Sequence, residues 1–135
     1  MPRTLLIPSL LALLFTVSCG DGARPLTDAF DGTWNLTLSG DCGGGPTAVE
    51  ITDGIAEGTF AFSSGTCGTE TGDLSGPVHP GAGESAAFPD FGDLRWTLQG
   101  EAGTFQFYGT ITLSGGSGSW ISSDGEIEGS FTLLP

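Results

Sequence analysis

The sequence predicts an all-β domain, an eight-stranded antiparallel up-and-down β-barrel, with a two-sheet β-sandwich as the alternative. Three observations lead there. Apolar and polar residues alternate with period two through most of residues 31–135, the pattern of strands with one buried and one wet face. Glycine is frequent, 24 of 135 residues, and Asp-Gly and Gly-Gly pairs break the alternation at turn spacing. A short motif, glycine then Thr or Ser then an aromatic, recurs at Gly32-Thr33-Trp34, Gly58-Thr59-Phe60, Gly103-Thr104-Phe105, Gly118-Ser119-Trp120 and Gly129-Ser130-Phe131.

In a strand, residues i and i+2 point the same way. Each motif glycine therefore leaves a gap beside a large ring on the inner face. The gap lets the strand coil tightly, and a ring can cover the bare glycine. A narrow barrel needs both if it is to enclose many aromatics.

Along the chain, residues 1–18 read as a helical export signal that precedes the barrel. Arg3 is the only early charge and Leu5 to Val17 form the apolar stretch. At about 13 residues the stretch is shorter than the roughly 20 a spanning helix needs. Residues 19–30 hold Gly and Pro without periodicity and are expected to be a flexible tether. The barrel domain is placed at 31–135.

Eight strands are predicted near 32–40, 46–52, 55–63, 67–74, 91–99, 103–113, 118–122 and 126–134. In the first, Trp34, Leu36 and Leu38 share a face opposite Asn35, Thr37 and Ser39. In the sixth, Phe105, Phe107, Ile111 and Leu113 share a face with Gly103 and Gly109. In the last, Ile127, Phe131 and Leu133 oppose Glu126, Glu128, Ser130 and Thr132. Asp53-Gly54 and Asp124-Gly125 are expected to form tight hairpins, because glycine accepts positive φ. Gly100-Glu101 and Gly115-Gly116 are assigned similar turns.

Parity points Trp34, Phe60, Phe62, Trp96, Phe105, Phe107, Trp120 and Phe131 inward, and Tyr108 outward. An eight-stranded barrel is just wide enough to be filled by side chains or to hold one small ligand, and both readings stay open. If a cup exists, its wall is expected to include Trp34, Phe60, Phe105, Trp96 and Trp120. Strand alternation also gathers loops 41–45 and 63–66 at one end. The tether, the long loop 75–90, the 114–117 turn and the C-terminus fall at the other. Cys42 and Cys67 then share an end, although the strand assignment did not use them.

Charge excludes one class of partner. Beyond the first 18 residues, 16 acidic residues stand against only Arg24 and Arg95, and lysine is absent. Nucleic-acid binding depends on clustered Lys and Arg, so no nucleic-acid partner is expected. The same surface has no electrostatic attraction to anionic lipid.

No residue set assembles into a catalytic centre. His79 is the only histidine and lies in a Pro- and Gly-rich stretch, read as an exposed loop with no nucleophile and orienter assigned to it. Glu126/Glu128 and Asp90/Asp93 are paired carboxylates, but the first pair faces outward on a strand and reads as a solubilising face rather than as glycosidase chemistry. The Asp-Gly pairs lack calcium-loop spacing. The expectation is no enzyme, no cofactor and no metal.

Thr16-Val17-Ser18-Cys19 resembles the lipobox of bacterial lipoproteins. The resemblance implies cleavage before Cys19, lipidation of its thiol and anchoring in a membrane. Gly20 after the cysteine favours, by the same resemblance, the cell outer membrane. With Cys19 so occupied, Cys42 and Cys67 remain as an even pair in an oxidising setting. A Cys42–Cys67 disulfide is predicted, with free thiols or a metal pair as the alternatives.

Asp31 to Leu38, "DGTWNLTL", resembles the first strand of lipocalins and avidins, and "DGIAEGTF" from Asp53 resembles an avidin hairpin. The nearest likeness is to small bacterial lipocalin-like lipoproteins of the calycin type, which end in a hairpin like Gly118 to Leu133. The resemblance implies the barrel, with Trp34 as its landmark, and carries no ligand across. Two functions are expected from it. One is a non-enzymatic envelope lipoprotein that binds a small hydrophobic ligand. The other is a solid-core structural module that meets another envelope protein.

Overall fold

The computed structural model describes residues 24–68, 70–101 and 103–135. The export signal and Cys19 lie outside the described residues. The chain forms β1 (Gly32–Gly40), β2 (Cys42–Thr52), β3 (Ile55–Ala61), β4 (Ser64–Gly65), β5 (Thr71–Pro80), β6 (Gly92–Gly100), β7 (Thr104–Thr112), β8 (Gly115–Ser122) and β9 (Glu128–Leu134). All pairings are antiparallel, in the order β1-β9-β8-β7-β6-β5-β3-β2, and β1 pairs with β2 to close the ring. The two-residue β4 adds to the start of β2 outside that ring. The predicted eight-stranded up-and-down barrel is the observed architecture, and the sandwich is excluded by the β1–β2 closure.

Parity held because the inner face is apolar without exception along six of the strands. The eight predicted rings are at most 4% exposed, together with Leu36, Leu38, Val49, Ile51, Leu74, Val78, Leu94, Leu98, Ile111 and Leu133. The outer face carries Asn35, Ser39, Thr110, Ser117, Ser119, Ser130 and Thr132. That is the reverse of a lipid-embedded barrel, whose apolar side faces out.

Two of the five motif glycines, Gly118 and Gly129, are covered by rings, and from across the ladder rather than along the same strand; a Cβ at Gly58 would meet Val49, and Gly32 and Gly103 have no neighbour within 4 Å of a Cβ. Gly118 pairs with Phe131 on β9 and with Gly109 on β7. A Cβ added to either glycine would lie 2.7 Å from the Phe131 ring. Trp120 pairs with Gly129, lies over it, and extends its indole N–H to the Ser39 carbonyl on the next strand at 3.2 Å. Large and bare positions thus alternate around the circumference, which is how a tight ring of strands closes over so much aromatic volume.

Four expectations are corrected. The fourth barrel strand runs over Thr71–Pro80, not 67–74, so the loop that follows begins at Gly81. Pro77 and Pro80 made this stretch read as loop, since proline cannot donate to a ladder. The barrel accommodates Pro77 at a gap in the β5–β6 bridging between Ser75↔Thr97 and Val78↔Leu94, and its carbonyl accepts the Trp96 indole N–H at 3.1 Å. His79 consequently sits on a strand opposite Asp93, half-buried, with Nδ1 3.0 Å from the Pro25 carbonyl. Gly115 and Gly116 belong to β8, the turn being Leu113-Ser114, and this puts Leu113 outside at 73% exposure. Asp124-Gly125 is part of a five-residue connection, not a two-residue hairpin. Asp53-Gly54 is the tight turn expected, with φ of 53° and 78°.

Residues 24–30, read as flexible tether, are docked chain. Thr27 N–H donates to the Val78 carbonyl at 3.1 Å, and Thr27 Oγ1 donates to the Ala86 carbonyl at 2.9 Å. Arg24 donates to the Pro80 carbonyl at 2.6 Å and meets Asp93 at 3.4 Å. Phe30 is 1% exposed and accepts the Trp34 indole N–H on its carbonyl. The segment crosses the proximal end of the barrel, the end at which β9 finishes, from β1 to β5, and Phe30 stoppers it.

Candidate functional site

The five residues predicted to wall a ligand cup, Trp34, Phe60, Phe105, Trp96 and Trp120, are all inward and all buried. They are also in contact with other side chains. Phe62 packs on Phe60, Phe105 and Trp120 with centroids 5.5, 5.3 and 6.3 Å apart, and Phe105 on Trp120 at 5.8 Å. Farther down the barrel Phe107 packs on Phe131 at 5.5 Å. These separations are those of directly packed aromatic pairs. The three indole N–H groups all end on backbone carbonyls, of Phe30, Pro77 and Ser39. The interior is thus a packed core with its polar handles satisfied.

Of the five, Phe105 alone reaches a described cleft. It opens at the distal end, between the β3–β5, β6–β7 and β8–β9 connections, with a volume of about 190 Å³. Phe105, Ile127 and Cys67 give it an apolar floor, and Thr104, Ser122 and Asp124 give it a polar rim. Cys42 and Cys67 are bonded there, with Cα atoms 5.6 Å apart. Cys42 is buried at the start of β2 while Cys67 is half-buried at the cleft. The bond pins the β3–β5 connection to the barrel rim, as strand alternation predicted.

The other wall of the cleft is the 123–127 connection, organised around one carboxylate. Asp124 Oδ1 accepts from Ser122 Oγ at 2.6 Å and from the Glu126 N–H at 3.0 Å. Ser122 Oγ accepts in turn from the Ile127 N–H at 3.1 Å. Donation from the Ser122 hydroxyl, then from the Glu126 N–H, holds the Asp124 carboxyl below its usual value of 3.8. The loop is exposed but locally fixed, and it sets Ile127 against the core.

Sequence reading missed Thr104, Ser122, Asp124 and Ile127 as a group because Asp124-Gly125 read as a minimal turn. The one signal available was Ser122-x-Asp124, a spacing at which a hydroxyl and a carboxylate close a local turn. Glu126 is exposed within that connection rather than on the strand, and Glu128 is exposed at the start of β9. Asp90 N–H donates to Glu84, and Asp93 pairs with Arg24; neither arrangement joins Asp90 to Asp93 as a catalytic dyad. Arg95 lies on the outer face over Tyr108 at 5.6 Å. Among the described residues, no group of three or more His, Cys, Asp or Glu is placed to hold a metal ion.

No protein-family model matches the chain, and no curated protein matches it. Closed antiparallel barrels serve many unrelated functions, so functional reasoning rests on the sites.

Proposed function

We propose that the chain is a non-enzymatic, solid-core module of the cell envelope, exported and held at the outer membrane by lipid on Cys19. The carrying observation is the packed interior: all five candidate wall residues are at most 4% exposed, and Phe60, Phe105 and Trp120 are locked to one another through Phe62. Small-molecule pockets usually run about 300–1,000 Å³, and these rings occupy the volume such a pocket would need. The lipobox-like Thr16-Val17-Ser18-Cys19 supports the anchor, and the acidic outer face suits a protein kept soluble above a membrane.

Titration with a hydrophobic fluorophore tests this reading. The expected result is no saturable quenching of tryptophan. Displaceable quenching by a small apolar molecule overturns it.

A second reading, a module that binds a small hydrophobic ligand, is favoured by the distal cleft over Phe105 and Ile127. Its occupant would have an apolar body of a few carbons and a donor directed at Asp124. Under this reading quenching is saturable and is lost in Ile127→Asp, while Phe88→Ser, at the opposite end, has no effect.

A further inference from the structure

The exposed large apolar side chains are not scattered. Six are found among the described residues: Leu26 at 40%, Phe88 at 84%, Tyr108 at 45%, Leu113 at 73%, Ile121 at 36% and Leu134 at 60%. The three most exposed, Phe88, Leu113 and Leu134, and Leu26 as well, all lie at the proximal end. Phe88 is in the β5–β6 connection, Leu113 in the β7–β8 turn and Leu134 at the end of β9. Since β5 to β9 are consecutive neighbours around the barrel, these three form one arc of the rim.

The chain leaves the barrel beside that arc. Arg24 is fastened to Pro80 and Asp93, the strand ends that flank the Phe88 connection. Only residues 20–23 separate Arg24 from Cys19. Five residue steps reach at most about 18 Å when fully extended. A lipid on Cys19 therefore holds this arc, and not the distal cleft, within reach of the headgroups.

Three carboxylates at the same end are engaged locally. Asp31 accepts from the Asp53 and Gly54 N–H groups at 2.7 and 3.0 Å, Glu84 from Asp90 N–H, and Asp93 pairs with Arg24. Arg24, beside the arc, is already paired with Asp93, and the acidic residues around it outnumber it, so attraction to an anionic surface is not what would seat the arc.

We propose that the apolar arc of Phe88, Leu113 and Leu134 is a membrane-seating surface, which inserts these three side chains at the lipid interface and stands the barrel on its proximal end. This rests on the lipid-anchor reading for its geometry. The occupant is the bilayer in which the anchor sits. The driving term is apolar burial, and salt strengthens the contact by screening the repulsion of the acidic barrel from anionic lipid.

The test uses the full chain, made with its own leader and reconstituted into phosphatidylcholine vesicles with brominated acyl chains. Tryptophan is introduced at the arc by Phe88→Trp or at the distal end by Ile121→Trp, and the native emission is subtracted. The expected result is that bromine quenches the added emission at least about two-fold more for Phe88→Trp than for Ile121→Trp. Adding Leu113→Ser and Leu134→Ser to Phe88→Trp is expected to abolish the difference. Equal quenching at the two sites overturns the proposal. Intact mass reports separately on acylation of Cys19, and an unmodified Cys19 refutes the anchor alone. The arc is then judged with the same variants held by an N-terminal histidine tag on nickel-chelating lipid, where equal quenching again overturns it.

Discussion

The indole N–H of Trp34 donates to the carbonyl of Phe30, four residues upstream, at 2.8 Å. The bond is buried, and it ties the segment that crosses the proximal end to the first strand. Trp34→Phe keeps most of the apolar volume and leaves that carbonyl without its partner. An unsatisfied buried group costs about 1–3 kcal/mol, so the urea midpoint is expected to fall correspondingly. An unchanged midpoint would show that the segment contributes little to stability.

The Cys42–Cys67 bond closes a separation of 25 residues. Restricting the unfolded chain by a loop of that size is worth roughly 3 kcal/mol. Cys42→Ala with Cys67→Ala is expected to lower the melting temperature, and reductant should lower the wild type towards the double variant but leave the variant unmoved. Reductant-insensitive melting of the wild type would refute the assignment.

Gly129 is the bare position beneath Trp120. A Cβ there would meet the indole at 2.7 Å and also the Ser39 backbone, so neither a rotamer change nor a small shift relieves it. Gly129→Ala is expected to destabilise by about 1–3 kcal/mol or more and to disturb the near-ultraviolet tryptophan signal. Gly125→Ala, in the distal connection where a Cβ meets nothing within 4 Å, serves as a control for space, its positive φ of 78° adding only local backbone strain.

The Asp124 carboxyl is held low first by the Ser122 hydroxyl and then by the Glu126 N–H. A carboxylate whose folded value is depressed stabilises the fold above its unfolded value, and loses that contribution as pH falls through the folded one. The 123–127 connection is accordingly expected to loosen only at acid pH below the ordinary 3.8. Ser122→Ala should move the Asp124 titration back up towards that value in an NMR titration. A titration that stays put would assign the shift to the backbone donor instead.

The ring of inward side chains was legible because it needs only period two and apolar identity. Trp34, Phe105, Trp120 and Phe131 could be placed without knowing any neighbour. What failed depended on backbone detail. Pro77 and Pro80 masked a strand, since a proline's missing N–H matters only where a ladder asks for it, and here the ladder gap falls at Pro77. Leu113 obeys the parity of β7 but falls in its turn. The cleft rim was illegible for another reason: Thr104 meets the Ser122–Asp124 turn across the β7–β8 ladder and Cys67 reaches it from the β3–β5 connection, so only the folded barrel brings them together.

The pairing of β1 with both β2 and β9 gives the main ring neither a first nor a last strand. An open sheet offers its outermost backbone to any similar molecule alongside, and such templating is a route to fibres. Under the anchoring proposed above, molecules held side by side on a membrane meet one another constantly. A ring that leaves no outermost strand lets such neighbours collide without stitching together.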